Sequence, residues 1–433
     1  MKKHYLVVSL LIVLVMLGSI TASAAVNLKV WMVGVNNERV KIINDILEAD
    51  FTPKTGIKAE IDPLPWAESD RRMQLAAASG DAPDIALMSG LLAAELGVRG
   101  AMVDFKQEFG KDLEKHVQDS FPNAFRTYEF MGAVFGVPFQ MAVSPMVYRI
   151  DILKDLGLAK PETWDEVRNM LPKLQAKQMN FSLAYGIEAE SFRDFQMFLW
   201  QHGGDMYSED RTKSAWDSPQ SLKAFKEYTS FYNDYKIPQS PQHFEAFRRG
   251  ELPVACIPWW TYANYIIGLP DLAGKWSISL VPGTKRAGKV YHTNWAAGTP
   301  LAMFKSSKHK KEAWELIKYM TGKDFQAKYT ELVMTRIPGT IHLPSSKAAY
   351  TSIQIPEEHR KVLLQQAEYS TAPPFAIASE MIVNRYIEFA INEVVVQKLK
   401  PEDALTKAAA QMNGDLKTKI AEYNRFIKNY TKK

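Results

Sequence analysis

At 433 residues the chain is long enough for two or three domains, and its 46% hydrophobic and 23% charged content is that of a folded globular protein. The formal charge is +5, and removing Lys2 and Lys3 with the leader leaves 51 − 48 = +3, too small an excess to make nucleic acid the main partner. One cysteine, Cys256, excludes an intrachain disulfide and a thiolate metal cluster. The chain begins with basic Lys2 and Lys3, an apolar run from Leu6 to Ile20 and small residues from Thr21 to Ala25. This is the pattern of a signal peptide over residues 1–24, cleaved near Ala24, because the apolar run is shorter than the roughly 20 residues of a bilayer span. No cysteine stands at the cut to carry a lipid anchor, so a freely diffusing, periplasmic protein is expected.

Strand and helix then alternate. Leu28–Val33 reads as a strand and Val40–Phe51 as a helix, with apolar residues at Val40, Ile43, Ile46, Leu47 and Phe51. Ile57–Ile61 is a second strand, Ser69–Ala78 a helix closed by Gly80, and Asp84–Met88 a third strand. Such order with short loops marks an open, mostly parallel α/β sheet. Gly136–Tyr148 is apolar but broken by Pro138 and Pro145, so it does not read as one straight central strand. Thr163 and Glu166 form a capping-box pair opening a helix through Leu174, and Ser218–Pro219 opens another. Leu252–Pro258 and Trp276–Val281 read as strands and Lys310–Met320 as an amphipathic helix; the last third is helical, with Pro401 opening the segment Glu402–Met412.

Residue strings along this frame resemble those of extracellular solute-binding proteins of family 1, the maltose-binding-protein-like sugar receptors of ATP-binding-cassette importers. They include Leu75-Ala-Ala-Ala-Ser-Gly-Asp-Ala-Pro-Asp84, Gly136-Val-Pro138, Tyr148 with Asp151, and Pro161-Glu-Thr-Trp-Asp-Glu166. Gly203-Gly204, Asp217-Ser218-Pro219, Phe247 with Gly250, and Ser307-Lys308 with Ala313-Trp314 follow in the same order. Arg149 and the pair Ala297-Gly298 depart from the family pattern. The resemblance implies a two-lobed periplasmic-binding-protein type II fold, each lobe a mostly parallel sheet flanked by helices, joined by hinge strands near Phe139–Val143 and Trp295–Thr299. The N-lobe would be residues 26–140 plus 299–343 and the C-lobe 141–298 plus 344–433. It also implies an ABC-transporter receptor that closes on a carbohydrate, an oligosaccharide, and delivers it to inner-membrane permease subunits.

Ligands of open α/β sheets bind beyond the carboxyl ends of the strands. With the two facing lobes and hinges that the resemblance implies, the expected ligand-binding residues are Asn36, Asn37, Glu38, Trp66, Ser89, Gln140, Trp259, Trp260, Asn294, Trp295 and Arg336, the tryptophan pair because the family places a tryptophan there. Flat aromatics cover the C–H face of a sugar, and amides, carboxylates and arginine meet its hydroxyls at fixed spacing. This mixed set, with one arginine, suits a neutral sugar. Trp31, Trp164, Trp216, Trp276 and Trp314 stand in strands or at helix starts and are expected in the core.

An exported glycoside hydrolase is the main rival in another class, but no acid or nucleophile motif frames its carboxylates, and G-x-S-x-G and H-E-x-x-H do not occur. The eight histidines show no metal-ligand spacing, and there is no phosphate-binding G-x-x-x-x-G-K-[ST] loop. No enzyme activity, cofactor or metal is expected, and the protein is expected to be monomeric. A glycerol phosphoester, a polyamine or a peptide remains as an alternative ligand.

Overall fold

The computed structural model describes residues 26–183, 191–239, 242–257, 261–377 and 380–431; the leader lies outside them. The first unit of structure is strand β1 (Asn27–Val33), helix α1 (Asn37–Ile46), strand β2 (Lys58–Leu64), helix α2 (Trp66–Ser79), strand β3 (Ile85–Leu87) and helix α3 (Gly90–Val98). Each helix follows its strand after a short turn, and β1 pairs in parallel with both β2 and β3. Pro63 is tolerated because β2 is an edge strand, where a missing donor breaks no second ladder.

Two further strands complete this sheet, β4 (Val137–Val143) and, after the second half of the fold, β9 (Ala296–Met303). The order is β2-β1-β3-β9-β4, with β9 antiparallel to both β3 and β4. Only Leu301–Met303 of β9 meets β3, whereas Ala296–Leu301 pairs with β4 as a two-stranded ribbon, shifted in register between Thr299 and Pro300. That ribbon leads to the second sheet, of β5 (Met146–Arg149), β6 (Phe181–Ser182), β7 (Val254–Cys256) and β8 (Trp276–Ser279). Its order is β8-β5-β7-β6. The break expected at Pro145 falls between β4 and β5, where the chain passes from one sheet to the other. A third passage runs alongside, with Met141 N–H donating to Leu343 C=O at 2.9 Å.

The architecture is thus two-lobed α/β. Both sheets are mixed, where the strand–helix alternation predicts mostly parallel ones. In the first sheet β9 runs against both of its neighbours, β3 and β4, and in the second β5 runs against β7 and β8 while β6 and β7 are parallel.

Separate cores lie on the two sheets. One gathers Val30, Met32, Ile85, Leu87, Leu301 and Met303, the inward positions of the first sheet. The other is aromatic: Trp164 stacks on Phe198 at 4.2 Å between ring centres, with Phe181 and Phe231 edge-on to it. Trp164 opens helix α4 (Trp164–Gln175), whose capping box forms as expected, Glu166 N–H on Thr163 Oγ1 and Thr163 N–H on Glu166 Oε2. Trp216, Trp276 and Trp314 are buried with Trp164, while Trp31 is only half-buried, its ring 4.8 Å beneath the Arg72 guanidinium. Arg149, one of the departures from the family strings, is buried and structural: it donates to both carboxylate oxygens of Asp151 and to the carbonyls of Phe247 and Arg248. Among the described residues no helix is long and apolar enough to cross a membrane, and no cluster of three His, Cys, Asp or Glu could hold a metal.

Candidate functional site

The carboxyl ends of β1, β2 and β3 open on one cavity of about 610 Å³. Gly34, Trp66 and Ser89, the first residues beyond these strands or just past them, line it. The connecting ribbon forms its floor with Gln140, Met141, Ala142, Ala297, Gly298 and Thr299, and Arg193 and Pro373 reach it from the other side. Arg193 stands on helix α5 (Ser191–Gln201), which packs on the second core, so side chains carried by both halves of the fold face one space.

Local backbone chemistry sets these positions. Gly34 has φ +71, and a Cβ there would stand 2.2 Å from the Trp66 indole nitrogen. Only glycine allows both the turn and the ring lying across it. Trp66 is 49% exposed, a large apolar face turned to solvent at the cavity rim. Trp295 is buried instead, its ring 4.0 Å below the Arg193 guanidinium, and its Nε1–H has no partner among the described residues. Gln140 Nε2 lies 3.5 Å from Thr299 Oγ1, a distance too long to commit the amide. Ser89 takes the N-cap position of α3 without a side-chain cap bond, which leaves its hydroxyl and the first amides of that helix uncommitted where Ser89, Gly90 and Leu91 line the cavity.

Arg39, on the first turn of α1, is the site's clearest charge. Its Nε–H donates to Tyr329 Oη at 2.8 Å, and Nη2 approaches His342 Nδ1 at 3.5 Å. His342 Nε2, across the ring, is buried and has no partner among the described residues. Burial, reinforced by the Arg39 charge, keeps the His342 pKa well below its ordinary value, and burial raises that of the Tyr329 phenol. Both partners of Arg39 are neutral.

Of the residues expected from sequence, the cavity brings together Trp66, Ser89, Gln140 and Trp295. Asn36 caps α1 instead, its Oδ1 accepting from Arg39 N–H at 2.9 Å. Asn37 and Glu38 are exposed on the first turn of that helix and do not line the cavity. Asn294 is buried, its Nδ2 donating to Ser144 C=O and its Oδ1 accepting from Trp295 N–H, both at 2.7 Å; it fixes the ribbon's entry. Arg336 pairs with Asp45 at 2.6 Å on the surface. Trp259 and Trp260 lie outside the described residues. The sequence reading missed Arg39, Thr127, Arg193 and His342. Arg39 had a signal, since it lies three residues after the cap Asn36 on the turn that faces the strand ends; Arg193 and His342 had none.

A wider hollow of about 1050 Å³ lies among helices of one lobe only, walled by charges such as Arg168, Glu227 and Glu402 that largely satisfy one another. It touches no strand end of the first sheet and does not join the halves.

Residues 36–327 match the family model described as bacterial extracellular solute-binding protein. The chain belongs to that family. Its members are exported and bind solutes without converting them, so this chain is an extracellular binding protein and not an enzyme. It is 22% identical over 303 residues to a binding protein of Brucella abortus, covering 66% of this chain and 70% of that one. It is also 22% identical over 340 residues to the arabinooligosaccharide-binding protein of Bacillus subtilis, covering 72% and 73%. Among solved structures, the sugar-binding protein MalE of Xanthomonas citri superposes with a TM-score of 0.78 at 19% identity, over 92% of this chain and 99% of that one. That similarity establishes the shared fold.

Proposed function

We propose that the protein is the carbohydrate receptor of an ATP-binding-cassette importer, working in the periplasm as a monomer. It takes an oligosaccharide into the cavity between its lobes, closes by bending the connecting ribbon, and presents the closed form to inner-membrane permease subunits. On this reading the lobes are residues 26–140 with 299–343, and 141–298 with 344–433. The observation that carries the proposal is the exposed Trp66 ring set beside uncommitted polar groups, Ser89, Gln140 and the α3 amides, at the strand ends. An aromatic face next to fixed donors and acceptors is what a pyranose or furanose ring with its hydroxyl rim requires. The cavity volume falls within the roughly 300–1,000 Å³ of small-molecule sites. The arabinooligosaccharide-binding relative and the sugar-binding neighbour support the same class.

The test is a thermal-shift screen of the mature protein against mono- and oligosaccharides, followed by solution scattering with any hit. A ligand of this site raises the melting temperature by mass action and contracts the scattering profile. A complete glycan library that leaves both unchanged removes the proposal.

A further inference from the structure

The charge of the cavity, taken together with the receptor reading on which this inference rests, narrows the ligand beyond a carbohydrate of unspecified kind. Arg39 lines the cavity, and among the described residues that line it there is no carboxylate. No described Asp or Glu lies within ion-pair distance of Arg39, whose bonds go to the neutral Tyr329 hydroxyl and His342 ring. These occupy Nε and approach one edge of Nη2, which leaves the outer Nη1–Nη2 edge, the fork that donates to two oxygens side by side. The Arg39 guanidinium is only part-exposed, so an anion on its open edge would meet a charge less screened than one on the free surface.

The remaining groups have the same polarity. The nine-residue α3 and the longer α2 both start at the cavity wall without a side-chain cap, placing the positive ends of two helix dipoles there. Trp295 Nε1–H is a further donor, buried and lacking an acceptor among the described residues. The described lining is rich in donors, and its acceptors are weak amide and hydroxyl oxygens. A neutral polyol, whose every hydroxyl both donates and accepts, would leave this set unbalanced.

We propose that the ligand is an acidic saccharide whose oxyanion, a ring carboxylate as in a uronic acid or an ester phosphate, seats on the outer edge of Arg39 while the ring lies against Trp66. A planar carboxylate matches the fork on both oxygens, and a phosphate ester offers the same pair of acceptors. This replaces the neutral sugar suggested by the sequence, where a single arginine, Arg336, was counted at the site.

The experiment is calorimetric titration of the mature protein with matched pairs across pentose and hexose backbones. Each uronate-terminated oligosaccharide is compared with its neutral counterpart, and each sugar 6-phosphate with the free sugar. The acidic member is expected to bind at least about tenfold tighter, the range of a hydrogen bond to a charged group, with an advantage that shrinks as salt rises. Arg39→Gln should erase that preference and Arg39→Lys, keeping charge without the fork, should retain part of it. Melting curves of both variants report whether the fold is intact. Preference for the phosphate member alone supports the proposal and identifies the oxyanion as tetrahedral. Neutral members binding equally or more tightly overturn the acidic ligand while leaving the carbohydrate receptor standing. A preference that survives Arg39→Gln overturns the role given to Arg39. Failure of every sugar in the panel overturns the receptor reading and this one with it.

Discussion

Trp66 shows what a single side chain contributes when its surroundings free it from packing. Half its surface is exposed, so Trp66→Ala removes little core contact. It should leave the melting temperature unchanged while weakening saccharide binding by about 0.5–1.5 kcal/mol, the worth of an aromatic stacking contact; calorimetry beside a melting curve separates the two effects. Gly34→Ala acts on the same ring by another route. The added Cβ meets the indole at 2.2 Å from a backbone with φ +71. A loss of about 1–2 kcal/mol for the left-handed backbone, with altered tryptophan fluorescence, is the expected outcome. His243 gives a pH signature outside the site. Burial lowers its pKa from 6.5 to about 4, while Ser182 Oγ stands 2.9 Å from its Nδ1. Between those values the unfolded chain holds more protons than the folded one, so stability falls as pH drops from 6.5 toward 4. Urea midpoints measured across that window should decline in the wild type and decline less steeply in His243→Gln, the remaining slope coming from the buried His116, His342 and His359, whose pKa values burial also lowers.

Single elements were the most legible level in the sequence. The capping box at Thr163 and Glu166 and the serine–proline start at Ser218 depend on contacts within one turn, and both form as read. Thr163→Ala should cost about 1 kcal/mol, seen as a lower melting temperature with ligand affinity unchanged, because α4 carries no cavity residue. Boundaries were less legible. The second helix starts at Trp66, not Ser69, and so places that ring at the mouth of the cavity. The last helix runs over Pro401–Thr431, far beyond Met412, since no glycine or proline after Pro401 breaks it except Gly414, which a helix tolerates at modest cost. The functional residues divide the same way. Trp66, Ser89, Gln140 and Trp295 follow strands or lie on the ribbon, so strand–loop order found them. Arg193 and His342 come from a helix and a returning segment that reach the cavity only through tertiary packing.

The final helix ties the whole molecule together. Over about 46 Å at 1.5 Å per residue, its first half (Ala404, Leu405, Ala408, Met412, Leu416) packs into the second core and its far end, at Tyr423, into the first. There Tyr423 Oη accepts from Arg99 Nε at 2.8 Å and donates to Glu95 at 3.2 Å. Two cores bridged in this way should unfold together. Calorimetry is expected to give one transition for the mature chain and two after deletion of residues 420–431; two transitions already in the intact protein would show that the helix does not couple them. Sequence by itself determined the strand–helix alternation, the capped helix starts at Thr163 and Ser218 and the apolar faces, because these follow from periods and caps within a few residues. The antiparallel return of β9, the seating of Arg39 between two neutral partners and the donor-rich balance of the cavity were decided only by the tertiary structure. They depend on which distant segments share a space, and charge balance belongs to that space, not to any stretch of chain.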